Sequence, residues 1–173
     1  AGVPFKGALY GQFMATKDGV RIIEFNSRFG DPEAMNVLSL LKGSLTNILL
    51  SIADGNLENA EFEEKASVVK YLVPDGYPEK PVGDAVVEVN TDAINGAGAK
   101  AYYASVYEKN GKIYTTKSRT FGMVGVADGL KDAEEIAEHA CSCVRGPVWH
   151  RKDIGSSALI QKRIDHMKKL RGK

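Results

Sequence analysis

The chain has 173 residues, of which 43% are hydrophobic and 26% charged, so it can bury an ordinary globular core. Its 23 basic and 22 acidic residues give a formal net charge of +1, which argues against nucleic acid or an anionic membrane as a partner. Apolar runs are too short for a membrane span and the first ten residues lack a secretory pattern, so we expect a soluble, cytoplasmic protein. Cys141 and Cys143 lie too close together for a useful disulfide, and a zinc site would need further ligands.

The first predicted element is a β-hairpin. Residues 8–16 and 20–25 read as strands joined by Lys17-Asp18-Gly19, in which Asp-Gly supplies the positive φ of a tight turn. The loop that follows contains Pro32. This proline suits the first turn of a helix, where its missing N–H would have no intrahelical acceptor in any case.

Residues 34–53 carry apolar side chains three and four apart, which predicts a helix with one apolar face. Gly43-Ser44 offers a point at which this helix can divide in two. Residues 54–65 are polar and acidic, contain a glycine and show no sustained period. This segment is therefore the best candidate for a domain boundary, with domains at 1–62 and 63–173.

The second part is richer in strands. Asn110-Gly111 predicts a second hairpin, and helices are predicted over 130–144 and after a cap at Ser156 or Ser157. The predicted fold class is α+β, a hairpin with helices followed by a small antiparallel, β-rich domain with C-terminal helices. The predicted strands of this domain are 67–73, 85–89, 100–108, 112–116 and 121–126.

The segment with most chemical content is Ile23-Glu24-Phe25-Asn26. Strand alternation places Glu24 and Asn26 on one face, with Ile23 and Phe25 on the other face and toward a core. A carboxylate and an amide carbonyl are hard oxygen ligands of the kind that Mg²⁺ accepts together with water and substrate phosphates.

Two further side chains extend this segment. Arg28 continues the alternation and can offer a fork of donors to a phosphate or acyl phosphate. Gln12 interrupts the apolar run of the first strand, and across the hairpin its amide can approach the same metal. The alternative is that Glu24, Asn26 and Arg28 form only the solvated face of an edge strand.

The string IIEFNSRFGDPEA, with a hairpin before it and a helix after it, resembles the last catalytic strand of the ATP-grasp superfamily. Its extension from Arg28 to Glu33 resembles the phosphoribosylamine-glycine ligase family in particular. GALYGQFM, LVPDGYP and RKDIG resemble that family in the same order and at similar spacing. The resemblance covers essentially the whole chain and implies the C-terminal part of such a ligase, with residues 1–62 ending the ATP-grasp domain.

The resemblance implies an ATP-dependent enzyme of de novo purine synthesis that joins glycine to 5-phosphoribosylamine through a glycyl phosphate. It implies Mg²⁺ or Mn²⁺ held by Glu24, Asn26 and, less securely, Gln12. Arg28 and Asp31 become the catalytic residues, Arg28 steadying phosphate oxygens. Asp31 and Glu33 are expected to bind the substrate ammonium or to order the loop. For Asp31 a helix N-cap is an equal alternative.

RKDIG places Arg151 and Lys152 before a glycine and a helix N-terminus, which favours an anion, and a ribose phosphate is one candidate. The alternative is that Asp153 pairs with Arg151 or Lys152 and the segment only docks the last helix. His139, His150 and His166 have no acidic or cysteine partner at a telling spacing, so surface or packing roles are expected for them.

The family would also need an N-terminal domain, an adenine-binding segment and a glycine-rich phosphate loop, none of which this sequence contains. We therefore expect the 173-residue chain alone to bind ATP weakly and to lack ligase activity. A missing N-terminal part of the same protein would be its partner, and self-association of the fragment is possible. Two alternatives remain: another ATP-grasp carboxylate-amine ligase or carboxylase, and a non-catalytic partner-binding module.

Overall fold

The structure is a computed structural model that describes residues 2–57 and 59–172. The chain forms two compact units, Ala1–Glu64 together with Lys162–Lys173, and Lys65–Gln161. Glu58, inside the predicted boundary segment, lies outside the described residues, as do the end residues of both predicted domains, Ala1 and Lys173. The division into enzyme domains at 1–62 and 63–173 stays a prediction.

The first unit contains a two-stranded antiparallel hairpin and two helices. Strands β1 (Tyr10–Thr16) and β2 (Gly19–Asn26) pair across a turn in which Gly19 has φ 113°, as predicted from Asp-Gly. The predicted helix is divided into α1 (Glu33–Ser39) and α2 (Leu45–Asp54). The Ser44 hydroxyl accepts the Asn47 N–H at 3.3 Å, so Ser44 caps α2 and the division at Gly43-Ser44 is confirmed.

The expectation that Ile23 and Phe25 face a core is wrong for the described residues. Ile23 is 49% exposed and Phe25 53% exposed. Phe25 instead makes an edge-to-face contact with Phe13 of the partner strand, at 5.8 Å between ring centroids. A two-stranded sheet offers only one layer, so side chains on either face stay exposed unless another element covers them.

The second unit contains two four-stranded sheets in which all pairs of described strands are antiparallel. Their strand orders are β10-β3-β8-β5 and β6-β7-β4-β9. The predicted α+β fold is confirmed. The strands are β3 (Ala66–Pro74), β4 (Val86–Val89), β5 (Lys100–Tyr103), β6 (Val106–Lys109), β7 (Lys112–Thr115), β8 (Phe121–Ala127), β9 (Val144–Arg145) and β10 (Val148–His150).

Three helices complete the described elements, α3 (Thr91–Gly96), α4 (Leu130–Ser142) and α5 (Ser157–Arg171). Helix α4 packs against β3 and β8, and its buried side chains are small: Ala133, Ala137, Ala140 and Cys141. Small residues on this face allow the helix to approach the sheet closely. The main core then joins α4 to both sheets through Leu72, Val87, Ile94, Phe121 and Met123.

Several local predictions for this unit need correction. The predicted strand 100–108 is two strands, because β5 pairs with β8 whereas β6 pairs with β7 in the other sheet. The predicted strands and helices of this unit did not include α3, which ends at Gly96, nor strands β9 and β10. The Asn110-Gly111 hairpin is confirmed, with φ 53° and 71° at its two turn residues.

The last helix begins at Ser157, and the Ser156 hydroxyl accepts the Leu159 N–H at 3.2 Å, so Ser156 is its cap. Within the part of the chain that the structure describes, no helix is both long and apolar enough to cross a membrane. Cys141 and Cys143 are free thiols, and Cys143 lies just beyond the C-terminus of α4 rather than inside the helix as predicted.

Candidate functional site

The hairpin brings together the three predicted metal ligands. Gln12 and Glu24 are directly opposite partners in the β1–β2 register, and one register step is irregular immediately after Gln12. The Asn26 side-chain amide donates to Glu24 Oε1 at 2.9 Å. The turn at Asp18-Gly19 sets the register as far as Phe13 and Ile22, and the irregular step then places Gln12 opposite Glu24 at the open end of the hairpin.

These donors fit a magnesium-type ion by their chemistry. Glu24 provides a carboxylate, and Asn26 and Gln12 provide neutral amide oxygens, the hard ligands that Mg²⁺ combines with water and substrate phosphates. Because the Asn26 N–H₂ group binds Glu24, the Asn26 carbonyl oxygen stays free to act as a ligand. No group of three or more His, Cys, Asp or Glu side chains suited to a metal occurs among residues 2–57 and 59–172. The set is therefore one carboxylate with two amides.

The loop after β2 is tied to the hairpin through Tyr10 and Glu33. The Tyr10 hydroxyl donates to Glu33 Oε1 at 3.0 Å, and this hydrogen bond to a carboxylate raises the pKa of Tyr10. Gly30, buried between them, has no room for a side chain, since a Cβ there would lie 2.7 Å from both Tyr10 Cδ2 and Glu33 Oε2. The contact of Glu33 with Tyr10 thus ties the start of α1 to the hairpin, and the role predicted for Glu33 stays a prediction.

Arg28 and Asp31 lie on this loop and are exposed. Arg28 Nη1 donates to the Phe29 carbonyl at 2.9 Å, which uses one of its five donors. The N-cap alternative for Asp31 is wrong, because the residue at the cap position of α1 is Pro32. Pro32 therefore precedes the first turn instead of lying in it as predicted.

The segment from His150 to Gly155 in the second unit carries the predicted phosphate-binding cations. Arg151 forms a two-point ion pair with Asp153, at 3.0 Å from Nε to Oδ1 and 2.7 Å from Nη2 to Oδ2. This pairing lowers the pKa of Asp153 and raises the pKa of Arg151. The internal pair that was one alternative for this segment is present. Lys152 keeps an exposed side chain.

A buried lysine beneath this segment was not anticipated from sequence. The Lys70 side chain is 0% exposed, and its Nζ donates to Glu134 Oε1 at 2.5 Å, to Glu138 Oε2 at 2.6 Å and to the Lys152 carbonyl at 3.0 Å. Burial would lower the pKa of Lys70, but the hydrogen bonds to both carboxylates outweigh it and raise the pKa. Lys70 therefore stays charged.

His150 joins the same network. Its Nε2 lies 2.9 Å from Glu138 Oε2, so it donates to the oxygen that also accepts from Lys70. Burial would raise the pKa of Glu138, but the hydrogen bonds from Lys70 and His150 outweigh it and lower the pKa. The expectation that His150 lacks an acidic partner is wrong, because Glu138 on α4, twelve residues earlier, is its partner.

Two sequence signals point to this network. Lys70 interrupts the strongly apolar run Val68-Val69-Lys70-Tyr71-Leu72, and Glu134 and Glu138 are one helical turn apart on α4. Neither signal predicts that Lys70 contacts these two glutamates. The pairing depends on α4 lying across β3, which only the tertiary structure provides.

Comparison with known proteins identifies the family. A family model described as phosphoribosylglycinamide synthetase, C domain, matches residues 67–157, and one described as phosphoribosylglycinamide synthetase, ATP-grasp (A) domain, matches residues 1–34. The first match covers more than half of the chain. The chain belongs to the phosphoribosylglycinamide synthetase family.

Similar members of the phosphoribosylglycinamide synthetase family are named phosphoribosylamine–glycine ligase. The chain is 51% identical over 167 residues to the protein of Methanobrevibacter smithii and 54% identical over 169 residues to that of Pyrococcus abyssi. These alignments cover 96% and 98% of this chain but 38% of each relative. The chain therefore spans less than two fifths of the length of these relatives.

A solved family structure has the same fold. The crystal structure of phosphoribosylamine–glycine ligase from Thermotoga maritima matches with a TM-score of 0.71 and 26% identity, over 84% of this chain and 36% of that chain. The family membership and fold resemblance predicted from the sequence are confirmed. The roles of the individual site residues stay predictions.

Proposed function

We propose that this chain supplies a metal-binding hairpin and a C-terminal domain to an ATP- and divalent-cation-dependent ligase that joins glycine to 5-phosphoribosylamine in purine synthesis. The observation that carries the proposal is the alignment of nearly the whole chain with relatives named phosphoribosylamine–glycine ligase, at about half identity. The hairpin geometry supports it, because Gln12, Glu24 and Asn26 share one end of the β1–β2 pair.

Glu24, Asn26 and Gln12 are the residues that would hold Mg²⁺ or Mn²⁺, and the ion would neutralise negative charge on the phosphates of ATP. Asn26 orients the Glu24 carboxylate through its 2.9 Å hydrogen bond. Asparagine adds no charge, so the set keeps a single negative charge beside the polyphosphate.

The remaining hairpin residues would handle charge on the reactants. Arg28 spends one donor on the Phe29 carbonyl, so the other donors of its guanidinium are available to orient a phosphate or glycyl phosphate oxygen. Glu33 is held by Tyr10 and keeps the loop in place. Asp31, which is exposed on the same loop, would bind the ammonium of glycine. In the second unit, Arg151 and Lys152 would hold the ribose phosphate.

We also propose that the 173-residue chain alone has no ligase activity and binds ATP weakly. The chain spans 38% of the length of the relatives above, and its match to the ATP-grasp domain is confined to residues 1–34. The rest of the protein, supplied as a longer chain or added separately, would restore turnover. Glycine-dependent ADP formation by the purified chain would contradict this.

The decisive experiment replaces Glu24 by alanine in the full-length protein and measures ADP formation dependent on glycine and phosphoribosylamine while Mg²⁺ is titrated. We expect activity to fall by about 10²-fold or more, with a higher Mg²⁺ requirement. Glu61→Ala is the matched control, because Glu61 is an exposed glutamate of the same unit that lies off the hairpin. Unchanged Mg²⁺-dependent activity in Glu24→Ala would make the motif structural and favour a non-catalytic module.

The acceptor needs its own test. The full-length protein is offered phosphoribosylamine, other amines and bicarbonate under identical conditions. Turnover with phosphoribosylamine supports the proposal. Turnover with only another acceptor would assign the chain to a different ATP-grasp carboxylate-amine ligase or carboxylase.

A further inference from the structure

Lys70 is a charged side chain with no exposed surface on a strand whose neighbours are apolar. Val68 and Leu72, which share its face of β3 by alternation, belong to the two core clusters beneath α4. An ammonium group at such a position is costly unless it is paired and fully hydrogen-bonded. Lys70 has three acceptors, which matches its three N–H donors.

The acceptors of Lys70 connect one helix to one loop. Glu134 and Glu138 belong to α4, whereas the third acceptor is the main-chain carbonyl of Lys152. Glu138 also binds His150, at the beginning of the same loop. The network therefore holds the segment 150–155 at two points, one through a side chain and one through the backbone.

Apolar contacts hold the far end of the segment. Ile154 packs against the cluster of Val68, Ala133 and Ala137. Gly155 has φ 78°, and a Cβ there would lie 3.0 Å from Val68 and 3.1 Å from Glu134. Both features favour glycine, because L side chains rarely adopt this backbone conformation and a Cβ would be in tight contact with Val68 and Glu134.

On the solvent side of this segment, the exposed Lys152 is a cation that forms no ion pair with the residues that the structure describes. Arg151, in contrast, is neutralised by Asp153. The Lys152 carbonyl is bound from within by Lys70. Its backbone is thus fixed while its ammonium faces solvent.

We infer that Lys70 is a positioning residue: it fixes the backbone of Lys152 and so presents the Lys152 ammonium to a phosphate-bearing substrate. This inference rests on the proposed function, in which the phosphate is that of phosphoribosylamine. Lys70 itself touches no substrate. Its effect is confined to the capture of the phosphate, so it acts on the KM of that one substrate.

The anchor, meaning the hydrogen bond from Lys70 to the Lys152 carbonyl, is tested first on the 173-residue chain by a measurement that does not depend on enzyme activity. Trypsin cleaves after Arg151 and Lys152, and mass spectrometry measures these cuts against cleavage at Lys109 in the exposed β6–β7 hairpin. Lys70→Met should increase cleavage at 151 and 152 several-fold relative to Lys109. Lys131→Met is the matched control, because Lys131 pairs with Glu135 on the same helix at an exposed position. Equal cleavage in both variants would overturn the anchor.

The consequence for substrate is tested in the full-length protein. Lys70→Met should raise the KM for phosphoribosylamine by about tenfold or more, while kcat and the KM values for ATP and glycine stay within about twofold. Lys152→Ala should raise the same KM, and Lys131→Met should not. An unchanged KM for phosphoribosylamine in Lys70→Met, beside increased cleavage, would overturn the positioning role. Absence of turnover in the unmodified protein would instead refute the proposed function, and the cleavage test would still stand.

A second variant covers the case in which Lys70→Met fails to fold. Lys70→Met with Glu134→Met removes one positive and one negative charge together, and apolar replacement of a buried ion pair is commonly tolerated. The double variant keeps the Glu138–His150 contact but lacks the link to the Lys152 carbonyl. It should show the same cleavage and KM changes, and normal values for both would reject the inference.

Discussion

The two cysteines differ in burial, although they are only two residues apart in the sequence. Cys141 is 3% exposed in the core beneath α4, and burial raises the pKa of its thiol to about 12. Cys143 is half-buried and lines a surface cavity with Ser142 and Arg145. The thiolate is the reactive form, so the two thiols should differ in reactivity.

We expect a thiol reagent at pH 8 to modify one cysteine rapidly in the native chain and both after denaturation. Cys143→Ser should abolish the rapid phase, whereas Cys141→Ser should leave it unchanged. The measurement is the rise in absorbance over time as a chromogenic disulfide reagent reacts with the thiols and releases its coloured thiolate. Two rapid thiols in the native chain would contradict the burial of Cys141.

At the scale of elements, α4 packs closely on β8 at Gly125. A Cβ built at Gly125 would lie 2.1 Å from the Ala133 carbonyl oxygen and 2.8 Å from the Ala137 N. Both atoms belong to the helix backbone and cannot move aside as a flexible side chain could. Helix and sheet would have to separate to admit a methyl group.

Gly125→Ala should therefore lower the free energy of unfolding by about 3 kcal/mol. Gly111→Ala is the matched control: a Cβ there meets open space, and its cost of about 1 kcal/mol would come only from φ 71°. Urea denaturation of both variants measures the difference. A loss at Gly125 no larger than that at Gly111 would show that α4 does not pack against β8 in this way.

At the scale of the whole molecule, the buried network links stability to pH. The pKa of Lys70 is raised above its ordinary 10.5, so its contribution is complete below that pH and is lost as pH rises through the raised value. The pKa of Glu138 is lowered below 4.5, so its contribution is present above that pH and is lost as pH falls through the lowered value. The contributions of Lys70 and Glu138 should be constant between these limits.

We expect the free energy of unfolding, measured by urea titration from pH 3 to 11.5, to fall at both ends of the range. Lys70→Met should have a smaller decline above pH 10.5 than the unmodified chain. Tyr10 and Tyr107, whose pKa values are also raised by hydrogen bonds to carboxylates, leave a residual decline in both proteins. An identical alkaline decline in the two proteins would contradict the role of Lys70.

Local chemistry allowed much of the fold to be predicted. Asp18-Gly19 and Asn110-Gly111 fix tight hairpins because their turn conformations need positive φ, which few other residues adopt at low cost. Ser44 caps α2 for an equally local reason. The hairpin prediction also placed Gln12 on the strand across from Glu24, but their direct pairing depends on the register shift between Gln12 and Phe13, which the turn does not set.

The predictions of secondary structure and burial were wrong where the outcome depends on residues that are distant in the sequence. Residues 100–108 read as one strand from their sequence. In the structure β5 pairs with β8 in one sheet, whereas β6 pairs with β7 in the other sheet. The partners of β9 and β10, β4 and β3, lie more than fifty residues away. Ile23 and Phe25 alternate like core residues, but a two-stranded sheet leaves them half exposed.

By itself the sequence determined the family and the α+β class and placed Gln12, Glu24 and Asn26 on one hairpin, because each depends on turn chemistry or on a local motif. Only the tertiary structure decided that Lys70 joins Glu134, Glu138 and Lys152, which lie 64 to 82 residues away. A buried charge is tolerated only where its partners converge in space. That convergence depends on how α4 packs on β3, and no local pattern encodes it.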